Sequence, residues 1–280
     1  MRYQFTIDRP ATPRRGPAIA FVALVFAVLA GYVFAACGER EPDQASAGEP
    51  VVATPTPVSE PVPTEPQPST PADFYRLGRA AWRAGNAEPA ESAFMQALAL
   101  DSTDVKSRLY LSRVLIETGR AEQALPHIET VIGFDSTSSE PFRLQGRAHE
   151  VLGRSDEAIA SYKRAIVTDV DDVWSLNNLG SVYIKLGRFE DALGPIARAI
   201  ELENKVAIFH NNLGTALEKT GHFTAAAEAY RAALQVEGTY GPATTNLARV
   251  EQLTRDPALP PVDLGALSKA FQELVATWPQ

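Results

Sequence analysis

The chain has 280 residues, with 26 Lys and Arg against 34 Asp and Glu, a net charge of −8 and 45% hydrophobic residues. That acidic balance excludes a general nucleic-acid binder, which needs a basic footprint. The single cysteine, Cys37, excludes an internal disulfide framework and any multi-cysteine metal site.

Residues 1–37 read as a targeting or anchoring element. Arg2, Arg9, Arg14 and Arg15 stand against one acid, Asp8, and the 19 residues 18–36 carry no charge. A helix of that length, at about 1.5 Å per residue, roughly matches the ~30 Å hydrocarbon core of a bilayer. Glu39, Glu41 and Asp43 follow directly. The arginines are expected to stay in the cytoplasm and the rest of the chain to lie outside it. The stretch Val33-Phe34-Ala35-Ala36-Cys37-Gly38 resembles the lipobox of bacterial lipoproteins, whose cysteine is lipidated and becomes the new N-terminus. Phe34 stands where leucine is usual, and the apolar run exceeds the 7–15 residues of a typical cleaved signal. Two anchors therefore stay open: a lipidated Cys37, or a signal anchor that remains in the membrane. Either places the protein at a bacterial cell envelope with its bulk outside the cytoplasm.

Residues 38–71 read as a disordered, proline-rich linker holding nine prolines. Proline fixes φ and removes backbone donors, so helix and sheet are disfavoured and an extended polyproline conformation is expected. At about 3.1 Å per residue the reach is on the order of 100 Å. A stalk explains this better than a ligand for a Pro-binding domain, because no basic residue follows Arg40 within it.

The remainder repeats every 34 residues. Gly85, Gly119, Gly153, Gly187 and Gly221 mark the period, and Ala90, Ala124, Ala158, Ala192 and Ala226 follow the same beat. Small or branched residues recur at 97, 131, 165, 199 and 233, and large apolar ones at Phe94, Ile128, Tyr162, Ile196 and Tyr230. Leucine recurs at Leu77, Leu111, Leu179, Leu213 and Leu247, with Gln145 breaking the series. Each unit reads as two amphipathic helices joined by a tight turn, in which glycine supplies φ > 0. Asp104, Ser138 and Asp172 are placed to cap first helices. One helix pair cannot bury its apolar face, so neighbours must stack into a continuous core.

This pattern resembles the tetratricopeptide repeat (TPR) family. The resemblance implies an all-α, right-handed superhelix whose first helices line a concave face. The array is expected over 72–253, as five full repeats and a partial sixth whose first helix runs from about Pro242 to Leu253. Residues 254–280 are expected to form a C-terminal capping helix, or alternatively a helix lying in the groove. The closing proline of the family is absent, and Pro126 and Pro195 fall inside second helices, where each is expected to remove a ladder bond and kink the helix.

In TPR domains the inner face of the first helices contacts ligand. Here one position carries Asn178, Asn212 and Asn246, with Asn177 and Asn211 beside two of them. The series resembles the asparagine ladders of peptide-binding TPR domains, since an amide matches a peptide unit's C=O and N–H. The alternative is hydrogen bonding between the helices themselves. Three residues further on in each repeat, Arg79, Arg113 and Arg147 form a basic stripe suited to carboxylates. Its alternative is pairing with Glu117, Glu140 or Glu150.

The four histidines show no metal-ligand spacing, and no nucleophile elbow, phosphate loop or dinucleotide fingerprint occurs. No enzyme, no cofactor and no metal are expected. The expected function is a membrane-tethered TPR adaptor, or scaffold, that binds a protein or an extended peptide, with an acidic peptide among the candidates. An assembly subunit of an envelope complex, or an accessory presenting substrates to a separate enzyme, are the alternatives. The sequence sets no oligomeric state.

Overall fold

The computed structural model describes residues 68–253 and 259–279. The apolar run 18–36, Cys37 and the linker up to residue 67 lie outside the described residues, and the described ones form one unit. Among the described residues all regular structure is helical: α1 (Pro71–Arg83), α2 (Ala87–Leu100), α3 (Val105–Glu117), α4 (Ala121–Phe134), α5 (Ser139–Val151), α6 (Ser155–Thr168), α7 (Val173–Lys185), α8 (Phe189–Leu202), α9 (Ala207–Lys219), α10 (Phe223–Val236), α11 (Gly241–Val250) and α12 (Leu264–Val275).

The turn within each pair is the same. Gly85, Gly119, Gly153, Gly187 and Gly221 all have φ between 73° and 88°. In the second pair the N–H of Arg120 bonds Leu115 C=O at 2.8 Å and that of Gly119 bonds Ile116 C=O at 3.1 Å. This double closure satisfies carbonyls that a helix end leaves open, and it needs the left-handed residue that glycine adopts without strain. The other ends are capped by side chains in part. Asp104 accepts from the N–H groups of Lys106 and Ser107, and Asp172 from that of Ser175. Ser138 makes no side-chain cap, so the expectation there fails. The array instead begins one residue inside the expected linker. Thr70 and Asp73 form a reciprocal capping box, and Pro71 occupies the first helical position, where its missing N–H costs nothing.

Packing follows the period. Ala90, Ala124, Ala158, Ala192 and Ala226 are fully buried, as are Phe94, Ile128, Tyr162, Ile196 and Tyr230. The large residue of each second helix lies against a small one in its own first helix. A Cβ on Gly146 would come within 2.6 Å of Tyr162, and one on Gly214 within 2.6 Å of Tyr230. Leu111, Leu179 and Leu213 are buried, whereas Leu77, on the first helix of the described residues, is 49% exposed.

Within a repeat the two helices pack closely, and each second helix packs on the next first helix. First helices also touch successively, α1 with α3, α3 with α5, α5 with α7, α7 with α9 and α9 with α11. Among the described residues, successive second helices make no comparable contact. The array therefore closes on the first-helix side and opens on the other, which makes the first helices its inner face.

α4 and α8 are 14-residue helices that hold Pro126 and Pro195 in their interiors. The sixth first helix is α11, which among the described residues has no second helix of its own, as expected. The expected cap, α12, neither covers α11 nor lies against a first helix: it packs on α8. Its partner there is an apolar face with Gly194 at the contact, an attraction that sequence periodicity does not reveal.

Candidate functional site

The inner face divides in two. In the first three repeats it is built from rings and ion pairs. The Arg79 guanidinium stands 5.6 Å from the Tyr75 ring and 5.4 Å from that of Tyr110. Arg113 also stands 5.4 Å from the Tyr110 ring, is only 7% exposed, and forms an ion pair with Glu140 of the next first helix. Such stacking and forked pairing suit guanidinium better than ammonium. Arg147 follows on α5. Burial pushes its pKa down, Tyr162 and Glu117 oppose that, and the like charge of Arg113 adds to it.

The three acids proposed as internal partners have separate tasks. Glu140 takes Arg113. Both oxygens of Glu117 accept the Trp82 indole N–H at 3.1 Å. Glu150 accepts the Tyr162 hydroxyl and holds Lys185 Nζ at 2.6 Å. The stripe is thus partly neutralised from within.

In repeats four to six the inner face is uncharged along its centre. Asn212 Nδ2 donates to Asn177 Oδ1 at 2.9 Å, and Asn246 Nδ2 donates to Asn211 Oδ1 at 3.0 Å. Asn177 and Asn211 are buried acceptors, while Asn178, Asn212 and Asn246 are half-buried. Each bond ties one first helix to the next, so the inter-helix role foreseen for these amides is present. Part of each amide remains outside the bonds: the carbonyl oxygens of Asn212 and Asn246 and the Asn211 amino group. Asn178 is the least engaged, with one long contact of 3.5 Å from Asn177.

Sequence reasoning missed a second network. Buried Glu218 accepts the Tyr230 hydroxyl at 2.8 Å and a fork from Arg249 at 2.9 and 2.7 Å. Burial pushes its pKa up, but the Arg249 and Tyr230 bonds outweigh burial and hold it below the usual carboxylate range. Burial likewise raises the Tyr230 hydroxyl. The same arrangement, Tyr162–Glu150–Lys185, stands in the third repeat, whereas isoleucines fill these places in the second and fourth. The signal was available: Glu150 and Glu218 are 68 residues apart, as are Tyr162 and Tyr230.

Among the described residues no group of three or more His, Cys, Asp or Glu could hold a metal ion. Nor is any helix among them long and apolar enough to cross a membrane.

Stacked helix pairs with one repeated turn and a lined inner face define a helical-repeat binding solenoid. Family models specify which: one described as tetratricopeptide repeat matches residues 75–139 and 177–242, and one described as TPR repeat matches 146–187. Together they span more than half of the chain, which belongs to the tetratricopeptide repeat family. The fold is similar to that of a thermophilic TPR protein of Thermus thermophilus, at 19% identity over 65% of this chain and 100% of that one, with a TM-score of 0.58. It is similar to pilF of Pseudomonas aeruginosa, at 16% identity over 73% and 90%, with a TM-score of 0.59. A chain of the APC/C hetero-tetramer Cut9-Hcn1 matches at 18% identity over 72% and 43%, with a TM-score of 0.62. These are likenesses of fold. No curated protein matches the chain.

Proposed function

We propose that this protein is a non-catalytic, membrane-tethered adaptor that holds an extended peptide of a partner protein along the inner face of its TPR array, outside the cytoplasm. The observation that carries the reading is the asparagine series. Three successive first helices present amides already oriented by one another, each with a donor or acceptor left over. Pre-oriented amides bind a peptide backbone without first losing rotamer freedom. The arginine half adds preference for acidic side chains, because Arg79 Nε is buried without a hydrogen-bond partner and Arg147 carries its charge on the same face.

The test uses the whole chain and an array of extended peptides, half acidic and half neutral. Asn178→Ala is expected to weaken binding of both kinds while leaving the fold intact, because Asn178 carries almost none of the inter-helix bonding. Charge reversal at Arg79 and Arg147 is expected to weaken only the acidic peptides. Unchanged affinity in all three variants, with circular dichroism preserved, refutes the inner face as a peptide site.

The tether rests on the residue pattern at 1–37. Cys37→Ser is expected to abolish lipid labelling and leave the precursor uncleaved if Cys37 is the lipid site. If membrane retention and mass are unchanged, the apolar run itself is the anchor. A chain that stays soluble with residues 1–37 intact removes the tether from the proposal.

A further inference from the structure

α12 is joined to α11 by residues 251–263, which include Pro257, Pro260 and Pro261. It returns to α8, the second helix of the fourth repeat. Phe271 seats on Gly194, where a Cβ would stand 3.0 Å from the Phe271 Cβ. Ser268, itself buried, donates to Glu201 at the end of α8. Trp278 packs edge-on to Phe271 at 5.7 Å and lies under Lys163 Nζ of α6, 4.8 Å from its ring. α12 thus packs on α8, and Trp278, three residues past its end, reaches the second helix of the third repeat. A cavity of about 280 Å³ remains beneath the span, lined by Ile166, Val167 and Val170 on one side and by Phe271, Val275 and Ala276 on the other.

Elsewhere in the array successive second helices do not pack on each other. The outer side of a repeat junction is therefore where a stack of helix pairs opens most easily as it bends. Only the junction of repeats three and four is spanned, among the described residues. Mid-helix Gly194 costs about 1 kcal/mol of helix propensity relative to Ala, and Pro195 about 3 kcal/mol. The glycine there lets Phe271 approach closely, since even a Cβ would press on it at 3.0 Å and a larger side chain would crowd the seat further.

We propose that α12 is an outer strap that fixes the angle between the third and fourth repeats. That junction is where the arginine half of the inner face meets the asparagine half, so the strap sets how the two halves align. This inference is independent of which ligand the inner face takes.

Spin labels test it in the full chain carrying Cys37→Ser. Ala160→Cys and Glu190→Cys, both exposed, report across the strapped junction. Gln96→Cys and Glu129→Cys, also exposed, report across the first and second repeats, which α12 does not touch. Electron–electron distance measurements are made with and without Gly194→Leu, which fills the seat, and Phe271→Ala, which empties it. The expected result is a longer mean distance and a broader distribution at the strapped pair alone, in both variants. An unchanged strapped pair overturns the proposal. So does an equal change at both pairs, which means general loosening. If Gly194→Leu fails to fold, Phe271→Ala decides the matter alone, since it removes contact without adding bulk.

Discussion

The first three repeats and the last three share one core and differ in their inner faces. In both halves a glycine at positive φ ends the first helix, a buried alanine sits at the helix crossing, and a large apolar residue fills the second helix. On the inner face, the first half uses rings, guanidinium groups and carboxylates, and the second uses amides along its centre with one carboxylate–guanidinium fork, Glu218–Arg249. The core positions touch both a partner helix and a neighbouring repeat, so the 34-residue period constrains them twice. The inner positions pair with the next first helix, as Arg113 does with Glu140 and Asn212 with Asn177, or with a single residue of a second helix, as Glu150 does with Tyr162, and these pairings differ from repeat to repeat.

The largest expected effect probes what the halves share. Tyr162→Ala in the third repeat and Tyr230→Ala in the fifth each remove a fully buried ring and are expected to cost about 3–5 kcal/mol of unfolding free energy. Denaturant unfolding followed by circular dichroism measures both. If one half tolerates the change and the other does not, the claim of a common core is broken.

The next effect probes a difference. Arg113→Ala removes a buried guanidinium from Glu140 and from the Tyr110 ring. Its expected cost is about 1.5–3 kcal/mol, the range for a hydrogen bond to a charged group. Glu140 is one-third exposed and regains water, so the upper end is not reached. Asn211→Ala, in the other half, breaks a neutral bond to Asn246 and is expected to cost about 0.5–1.5 kcal/mol. Equal costs in parallel unfolding curves dissolve the contrast between a charged and an amide half.

Much of this fold was legible because the determinants are local and repeated. Gly85 to Gly221 fall at positive φ as expected, and every alanine and large apolar residue of the periodic series is buried. TPR membership and the all-helical fold are borne out. The departures share a cause: their reasons lie in partners distant along the chain. Leu77 fits the leucine series, yet it is exposed, since among the described residues no repeat precedes it. Gln145 breaks that series, and the structure gives its Oε1 the Ser161 hydroxyl at 3.2 Å. Gly146 and Gly214 read as ordinary helix residues until the ring of the following helix is placed against them. α12 has an apolar stripe that says it must be buried, but a stripe does not name the helix that buries it. The asparagines were found by register alone. Register could not show that Asn212 and Asn246 would spend their amino groups on Asn177 and Asn211.

The smallest expected effect is one of pH, and it falls in the first half alone. His127 on α4 and His149 on α5 both have depressed pKa values. Burial is the main cause in each; the Arg108 charge adds to it at His127, and nearby Glu157 opposes it at His149. His149 Nδ1 is buried and makes no hydrogen bond. Both rings therefore fold in the neutral form, while in the unfolded chain they bind a proton near the ordinary value of about 6.5. Between the folded and unfolded values the unfolded state holds more protons. Stability from these two groups is thus complete above about pH 6.5 and is lost as pH falls through that value toward the folded pKa. Unfolding curves at descending pH are expected to show a loss that His149→Leu reduces, since leucine occupies the equivalent buried places at Leu115 and Leu217. Hydrogen exchange should rise first at α4 and α5. Exchange that rises first in α9 and α10 would move the acid-sensitive region into the amide half and overturn the assignment.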